Sequence, residues 1–204
     1  MHPFEIFTGG YFQTNAYALP TPAGKKLLID APEGCADWLR RGGWSVEALL
    51  LTHAHIDHIQ DAAQIVREHG CPIYYHADGT PLLTDRNAYR RFGLSIDFEP
   101  VTGGVLIDEA ARAEFAGRAF RVLLVPGHCP GSLCFLDEAD GRLYGGDVLF
   151  AGSIGRTDLP GGDHDLLIRG IHEKILTLPD DTIVLPGHGP ETTVGDERAG
   201  NPYL

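Results

Sequence analysis

Residues 51–61 read LTHAHIDHIQD, and this stretch is more informative about the fold than any other part of the 204-residue chain. It places His53, His55, Asp57 and His58 in the pattern H-x-H-x-D-H, which is typical of side chains that hold neighbouring metal ions. Histidine makes up only 10 of the residues, so three histidines and an aspartate at these fixed positions are improbable by chance. We therefore interpret the stretch as a metal-ligand string.

The flanking sequence predicts that this string lies on a turn between a strand and a helix. Residues 46–51, VEALLL, form a bounded apolar run of the length of a buried strand. Residues 60–70, QDAAQIVREHG, carry apolar residues at helical spacing and end at a glycine that suits a helix C-cap. In extended backbone the side chains of His53 and His55 point the same way, so both can bind one metal ion. Asp57 and the following histidine can then face a neighbouring position.

Three further candidate ligands follow apolar runs in the same manner. His128 follows the run RVLLVPG, Asp147 follows RLYGG, and His188 follows TIVLPG. Loops at the ends of neighbouring strands commonly build functional sites. We therefore expect these side chains to converge with the metal-ligand string at one edge of a sheet.

These motifs resemble those of the metallo-β-lactamase superfamily. The strings THAHIDH, GHCPGS, GGD and PGHG occur in the order of that family and at similar separations, over nearly the whole chain. The segments GSIGRTDLPGGD and PGHGPETTVGDERAGNPYL are similar to those of short glyoxalase II-like hydrolases of bacteria. The resemblance implies an α/β fold, a four-layer αββα sandwich with the metal centre at one edge between its two sheets.

The resemblance also implies a role for each candidate ligand in a centre of two divalent ions per chain. Zinc is the expected metal, and iron or manganese are alternatives, because histidine and carboxylate ligands suit all three. The implied ligands are His53, His55 and His128 at the first ion, Asp57, His58 and His188 at the second, and Asp147 as the bridge between the two.

The composition predicts one domain spanning residues 1–204. The chain is 43% hydrophobic, which is enough to bury a core, and it contains no Ser/Gly linker or low-complexity tract. Residues 1–20 lack a basic segment followed by a long apolar one, and no apolar run approaches the length of a membrane span. The four cysteines form no C-x-x-C pair, as expected of free thiols in a reducing compartment. These features predict a cytoplasmic protein without membrane association.

The formal net charge of −12 argues against a nucleic-acid partner, whose binding depends on lysine and arginine contacts to phosphate. An anionic substrate would then need a local cationic group. Arg156 lies nine residues beyond Asp147, where related glyoxalases II carry a basic residue that contacts glutathione, so it is a candidate substrate anchor. The alternative is an exposed arginine in a Gly-rich loop. Asp30 ends the strand-like run KKLLID, and we expect it to orient a metal ligand, as carboxylates behind metal-bound histidines do.

The reaction follows from the metal ions. Two neighbouring ions can lower the pKa of a shared water to about 7, which provides hydroxide at neutral pH without a serine or cysteine nucleophile. Asp57 would orient that hydroxide for attack on an acyl carbonyl. A thiolate leaves with little help from an acid, so a small-molecule thioester is the favoured substrate. By resemblance, it would be an S-2-hydroxyacylglutathione such as S-lactoylglutathione.

Other functions remain open. The GRTD string and the ERxxNPxL-like segment also resemble persulfide dioxygenases, which use one iron ion to oxidise glutathione persulfide. The segment PGHGPETT favours the hydrolase instead. A β-lactamase is disfavoured because those enzymes carry a cysteine or no carboxylate where this chain has Asp147. A non-catalytic metal-binding protein is a third possibility, which the complete ligand set disfavours.

Overall fold

The computed structural model of the protein describes residues 4–93, 96 and 98–204. The strands are β1 (Glu5–Gly9), β2 (Thr14–Pro20), β3 (Lys26–Ile29), β4 (Val46–Leu50), β5 (Ile73–Tyr75), β6 (Val105–Leu106), β7 (Ala110–Phe115), β8 (Arg118–Leu124), β9 (Leu133–Asp137), β10 (Arg142–Gly146), β11 (Leu149–Phe150), β12 (Ser153–Ile154), β13 (Ile183–Pro186) and β14 (Thr192–Thr193). The helices are α1 (Cys35–Gly42), α2 (Ile56–Ile59), α3 (Ala62–His69), α4 (Thr80–Thr84), α5 (His164–Gly170) and α6 (Val194–Gly200). Short 3₁₀ turns span Ala77–Gly79 and Ala88–Phe92, and a π-helical turn spans Ile171–Ile175.

Twelve of these strands form two six-stranded sheets. The first sheet has the order β1-β2-β3-β4-β5-β6, antiparallel as far as β3 and parallel from there on. Parallel neighbours need crossover connections, and α1, α2 and α3 supply them between β3, β4 and β5. The second sheet has the order β14-β13-β10-β9-β8-β7, in which only β10 and β13 pair in parallel. Strands β11 and β12 form a separate hairpin.

Three hydrophobic layers hold the sheets and helices together. The middle layer lies between the two sheets and includes Leu50 and Phe135. A second layer packs α1 and α3 on the first sheet, with Leu39 of α1 fully buried. A third packs α5 and the π-helical turn on the second sheet, with Leu167 of α5 fully buried. The expected four-layer αββα sandwich is confirmed.

The packing of strand β4 explains why residues 48–51 read as an unbroken apolar run, whereas Glu47 is only partly buried and accepts a hydrogen bond from Thr21 Oγ1. Ala48 and Leu50 face the middle layer, whereas Leu49 and Leu51 face the helices on the other side of the sheet. Successive side chains of a strand point to opposite faces, so a strand covered on both faces is apolar at every position. Strand β4 ends at Leu50, and the metal-ligand string begins at the next residue.

The predicted strand-turn-helix unit is also confirmed, with one difference. Helix α3 ends at the expected glycine, because Gly70 adopts a φ of +61° and donates its N–H to the carbonyl oxygen of Val66 at 2.9 Å. The difference is α2, a short helical turn that carries Asp57 and His58, where the sequence predicted a turn before a helix that begins after His58. His55 remains extended, and its carbonyl oxygen accepts a hydrogen bond from His58 N at 2.9 Å. The helical turn directs His58 back towards the end of β3.

Among the described residues, no helix is long and apolar enough to cross a membrane.

Candidate metal centre

The side chains of the metal-ligand string meet those that follow β8, β10 and β13. Their ligand atoms form three overlapping groups, and within each group all ligand atoms lie within 4.8 Å of one another. Most of these side chains are buried, while Asp57 and His188 are partly exposed. The groups are His53, His55 and His128, then His53, His58 and Asp147, and then Asp57, His58 and His188.

Asp147 occupies the middle of this arrangement. Its Oδ1 lies 3.3 Å from His58 Nε2, and its Oδ2 lies 3.3 Å from His188 Nε2 and 3.5 Å from His128 Nε2. Its carboxylate therefore reaches both of the outer groups. Asp57 belongs to one side only, where its Oδ2 lies 3.2 Å from His188 Nε2.

Several of these atoms lack the partners that buried polar atoms normally have. Within residues 4–93, 96 and 98–204, His53 Nε2, His58 Nε2 and Asp147 Oδ1 are buried and form no hydrogen bond. The His58 and Asp147 atoms face each other at 3.3 Å without hydrogen-bond geometry. Unsatisfied buried polar atoms are costly. Imidazole nitrogens and a carboxylate are suitable ligands for a divalent transition metal, so this donor set fits a metal ion.

The other nitrogen of several imidazoles is held by an oxygen atom. His58 Nδ1 lies 2.8 Å from Asp30 Oδ2, and His128 Nδ1 lies 2.8 Å from the carbonyl oxygen of Arg156. His188 Nδ1 lies 3.1 Å from the carbonyl oxygen of Phe12. An oxygen acceptor at Nδ1 fixes the proton there and leaves Nε2 free to bind a metal ion. The structure thus places Asp30 behind His58, where the sequence predicted an orienting carboxylate.

The first group holds neutral imidazoles. Burial lowers the pKa of His53 well below its usual value, and the neighbouring histidines lower it further. Burial likewise lowers the pKa of His55, to about 3, with a further contribution from His128. Neutral imidazole is the form that binds metal ions. These side chains are therefore ready to bind a cation without first losing a proton.

The group of Asp57, His58 and His188 has the opposite character. Burial alone would lower the pKa of His58, but the carboxylates of Asp57, Asp147 and Asp30 raise it well above its usual value. Burial also acts to lower the pKa of His188, yet hydrogen bonds to Asp147 and Asp57 raise it to about 10. The same contacts hold the pKa of both carboxyl groups below the usual range, although burial acts to raise it. In the metal-free protein, His58 and His188 are therefore protonated, and their positive charge balances the carboxylates that would otherwise face a metal ion.

A cleft of about 380 Å³ opens onto the centre. Its walls include Phe12, Tyr89 and Leu159 in addition to the candidate ligands, and Arg156 lies at its edge. The Arg156 guanidinium is exposed and donates from Nε and Nη2 to the two carboxylate oxygens of Asp158, each at 2.7 Å. Arg156, the predicted substrate anchor, therefore lies beside the cleft, and its positive charge is paired with Asp158.

Two contributions from strand β2 were not recognised from the sequence. Thr14 Oγ1 donates to Asp57 Oδ2 at 2.8 Å. Asn15 donates from Nδ2 to the carbonyl oxygens of Pro186 and Gly189, at 3.1 and 3.0 Å, and so holds the loop that carries His188. These partners are far apart in the sequence, and no local pattern marks them.

Gly187 is a third such position. A Cβ atom there would come within 2.6 Å of His58 Cε1 and closer still to Asp147 Oδ1. Only glycine allows the backbone to approach the centre this closely. The repeated Pro-Gly-His string was the available signal, since glycine precedes the candidate ligand in both copies.

The fold and this group of histidines and aspartates define a class of protein. The sequence profile of the metallo-beta-lactamase superfamily matches residues 9–188. The chain belongs to this superfamily, and it is a hydrolase with a group of side chains suited to a divalent metal ion.

Three similar proteins share nearly the full length of the chain. Hydroxyacylglutathione hydrolase GloC of Haemophilus influenzae is 38% identical, and the similarity covers 98% of this chain and 97% of GloC. The crystal structure of the BLEG-1 B3 metallo-beta-lactamase superimposes with a TM-score of 0.89, at 39% identity and 99% coverage of each chain. That of TTHA1623 in a di-iron-bound form superimposes with a TM-score of 0.86, at 39% identity, covering 98% of this chain and 100% of TTHA1623.

Proposed function

We propose that the protein hydrolyses S-2-hydroxyacylglutathiones, such as S-lactoylglutathione, at a centre of two divalent metal ions. The observation that carries this proposal is the end-to-end similarity to hydroxyacylglutathione hydrolase GloC. The arrangement of candidate ligands supports it, because two groups of three side chains share a central carboxylate.

We assign the first ion to His53, His55 and His128 and the second to Asp57, His58 and His188, with Asp147 between them. Two ions held in this way would supply a water of lowered pKa and a positive charge for the acyl oxygen. Zinc is the expected metal, and the di-iron form of the similar TTHA1623 supports iron as the alternative. Elemental analysis of the purified protein should find close to two ions per chain. A persistent value of one or less after metal supplementation would contradict the two-ion centre.

Asp57 is the residue that we expect to orient the attacking water. It lines the cleft, and its Oδ2 is fixed by Thr14 Oγ1 at 2.8 Å. Its lowered pKa keeps it ionised, so it can accept a hydrogen bond from water but cannot donate one. We regard Asp57 as the catalytic residue that acts together with the metal centre.

Arg156 is our candidate for binding the carboxylates of glutathione. Its present partner, Asp158, is exposed, and exposed ion pairs contribute little because water solvates both charges. A substrate carboxylate can therefore replace Asp158 at low cost. The arginine backbone need not move in that exchange, so its carbonyl contact with His128 is preserved.

The competing functions are a persulfide dioxygenase, a β-lactamase and a non-catalytic metal-binding protein. Similarity to BLEG-1 favours a β-lactam as the second substrate class to test, whereas the Asp147 carboxylate argues against it. One metal-loaded preparation should be assayed with S-lactoylglutathione for thioester loss, with glutathione persulfide for oxygen uptake, and with a chromogenic cephalosporin for ring opening.

We expect thioester loss to be the fastest of the three reactions. Oxygen uptake or ring opening without thioester loss would replace the proposed function with the corresponding alternative. No reaction in any of the three assays would favour the metal-binding protein.

A further inference from the structure

Helix α6 carries a buried carboxylate that neither the metal centre nor the substrate cleft uses. Glu197 is 4% exposed, yet both of its carboxylate oxygens have donors. Oε2 accepts from Gly152 N at 2.9 Å and from Asn201 Nδ2 at 2.7 Å, and Oε1 accepts from Thr192 Oγ1 at 2.6 Å. A buried carboxylate is tolerated only when its oxygens are satisfied in this way.

These bonds hold the turn between β11 and β12. Gly152 lies in that turn with a φ of +66° and donates to Glu197. The adjacent Ser153 accepts at its carbonyl oxygen from Asn201 Nδ2 at 3.0 Å. Asn201 is also buried, and its bond to Glu197 is shielded from water, whereas its bond to Ser153 is partly shielded. One carboxylate and one amide therefore hold two consecutive residues of the hairpin.

The hairpin and the residues just after it contact two candidate metal ligands. It begins two residues after Asp147. The Phe150 ring packs against the His188 ring, with centroids 6.2 Å apart and planes at 71°. Just beyond β12, the carbonyl oxygen of Arg156 lies 2.8 Å from His128 Nδ1. Because Nδ1 must donate to a carbonyl, the neutral His128 ring carries its proton there. Its Nε2, which lies 2.8 Å from His55 Nδ1, is then an acceptor that can bind a metal ion.

We propose that Glu197 and Asn201 are positioning residues for the metal centre. They fix the β11–β12 hairpin, and the hairpin sets the orientation of the His128 and His188 rings. Residues 197–201, ERAGN, would thus position metal ligands, a role that the family resemblance did not imply. The kinetic part of the test depends on the proposed function, whereas the metal-binding part does not.

Two variants remove the contacts with side chains of similar size. Glu197→Leu removes both acceptor oxygens, and Asn201→Leu removes the donor to Ser153. Asp196→Asn is the matched control, because Asp196 is its neighbour on α6 and its carboxylate contacts Thr193 in the helix cap. Thr192→Val is a milder variant that removes only the donor to Oε1.

Three quantities should be measured on each full-length protein: the rate at which bound metal is lost to a chelator, kcat and KM for S-lactoylglutathione, and Tm. Residues behind metal ligands typically alter metal affinity or activity by 10–100-fold, so we expect metal loss about tenfold faster and kcat about tenfold lower. KM should stay within about twofold, since the substrate contacts are unchanged. The control should match the wild type.

A purely structural role predicts a different result. Lower Tm with wild-type metal loss and wild-type kcat would mean that the contacts stabilise only the fold, and would overturn the proposal. If Glu197→Leu or Asn201→Leu does not fold, Thr192→Val decides by the same criteria. If the wild type does not hydrolyse the thioester, the proposed function fails, but the metal-loss comparison still tests the role of the hairpin contacts.

Discussion

Asp30 Oδ2 lies 2.8 Å from His58 Nδ1, behind an imidazole whose Nε2 faces Asp147 Oδ1 at 3.3 Å. The Asp30 carboxylate is also held by Thr52, whose N donates to Oδ1 at 2.8 Å and whose Oγ1 donates to Oδ2 at 2.7 Å. Asp30 adopts a φ of +60°, a left-handed conformation that aspartate and asparagine tolerate better than most residues. The residue that follows β3 thus determines which nitrogen of the neutral His58 ring carries the proton.

We expect Asp30→Asn to weaken metal binding without unfolding the protein. Asparagine tolerates the positive φ and can still accept from Thr52 N, but its amide would replace Oδ2 and face His58 Nδ1 as a donor. His58 would then protonate at Nε2, the nitrogen assigned to the metal ion. Metal affinity should fall by about 10–100-fold.

Competition with a chelator checks this prediction, and circular dichroism checks the fold. Asp37→Asn, on the exposed surface of α1, serves as the control. Unchanged affinity in Asp30→Asn would mean that Asp30 contributes only to the turn.

Asp147→Asn should have a larger effect because Asp147 reaches both groups of ligands. The change removes a negative charge shared by two cations and places an amide beside His58 and His188. We expect kcat/KM for S-lactoylglutathione to fall by more than about 100-fold, since substitutions behind ligands already cost 10–100-fold. Steady-state kinetics at saturating metal is the appropriate measurement. A variant with wild-type kinetics would remove Asp147 from the bridging position.

Metal binding should release protons at neutral pH. In the metal-free protein His188 has its pKa raised to about 10, and the pKa of His58 is also raised, so both carry a proton at pH 7. A metal ion binds only the neutral imidazole and must displace these protons. Apparent affinity should therefore rise with pH below about 10, by about tenfold per pH unit for each proton displaced.

Isothermal titration at pH 7 in buffers of different ionisation enthalpy measures this release. Binding heats that do not depend on the buffer would show that these histidines are already neutral. His53 and His55 should not contribute to this release, because their lowered pKa keeps both rings neutral at pH 7.

Local sequence predicted the parts of the centre that depend on one segment. Residues 48–51, at the end of β4, are all apolar because both faces of the sheet are covered there, and Gly70 ends α3 because it adopts a positive φ. The candidate ligands of residues 51–61 could be found from their spacing, and the other three because each follows an apolar run. The layering of the sandwich came from resemblance, since alternation within a strand does not reveal what covers its two faces.

Contacts between distant segments could not be predicted in this way. Asn15 holds Pro186 across 171 positions of the sequence, and Glu197 holds Gly152 across 45. Each depends on the packing of separate elements, which no periodicity encodes. The pairing of Arg156 with Asp158 is local, but it requires a side-chain geometry that the string GRTD does not specify.

That pairing leads to opposite predictions for two variants. If Arg156 binds the carboxylates of glutathione, Arg156→Met should raise KM for S-lactoylglutathione, and Asp158→Asn should lower it by freeing the guanidinium. Each change should be roughly two- to fivefold, the range expected for one exposed charge contact. kcat should stay the same in both, because loss of uniform binding appears in KM alone.

Two further measurements, with added salt and with a neutral substrate, distinguish an effect of the Arg156 charge from an effect on the conformation of its loop. Exposed charges are screened over about 10 Å at 0.1 M ionic strength, so added salt should raise KM of the wild type and have little effect on Arg156→Met. A thioester without the glutathione carboxylates should be hydrolysed equally well by the wild type and both variants. If Arg156→Met loses as much activity on the neutral thioester as on S-lactoylglutathione, Arg156 acts through its carbonyl contact with His128. The preference for glutathione would then have no cationic anchor at this edge of the cleft.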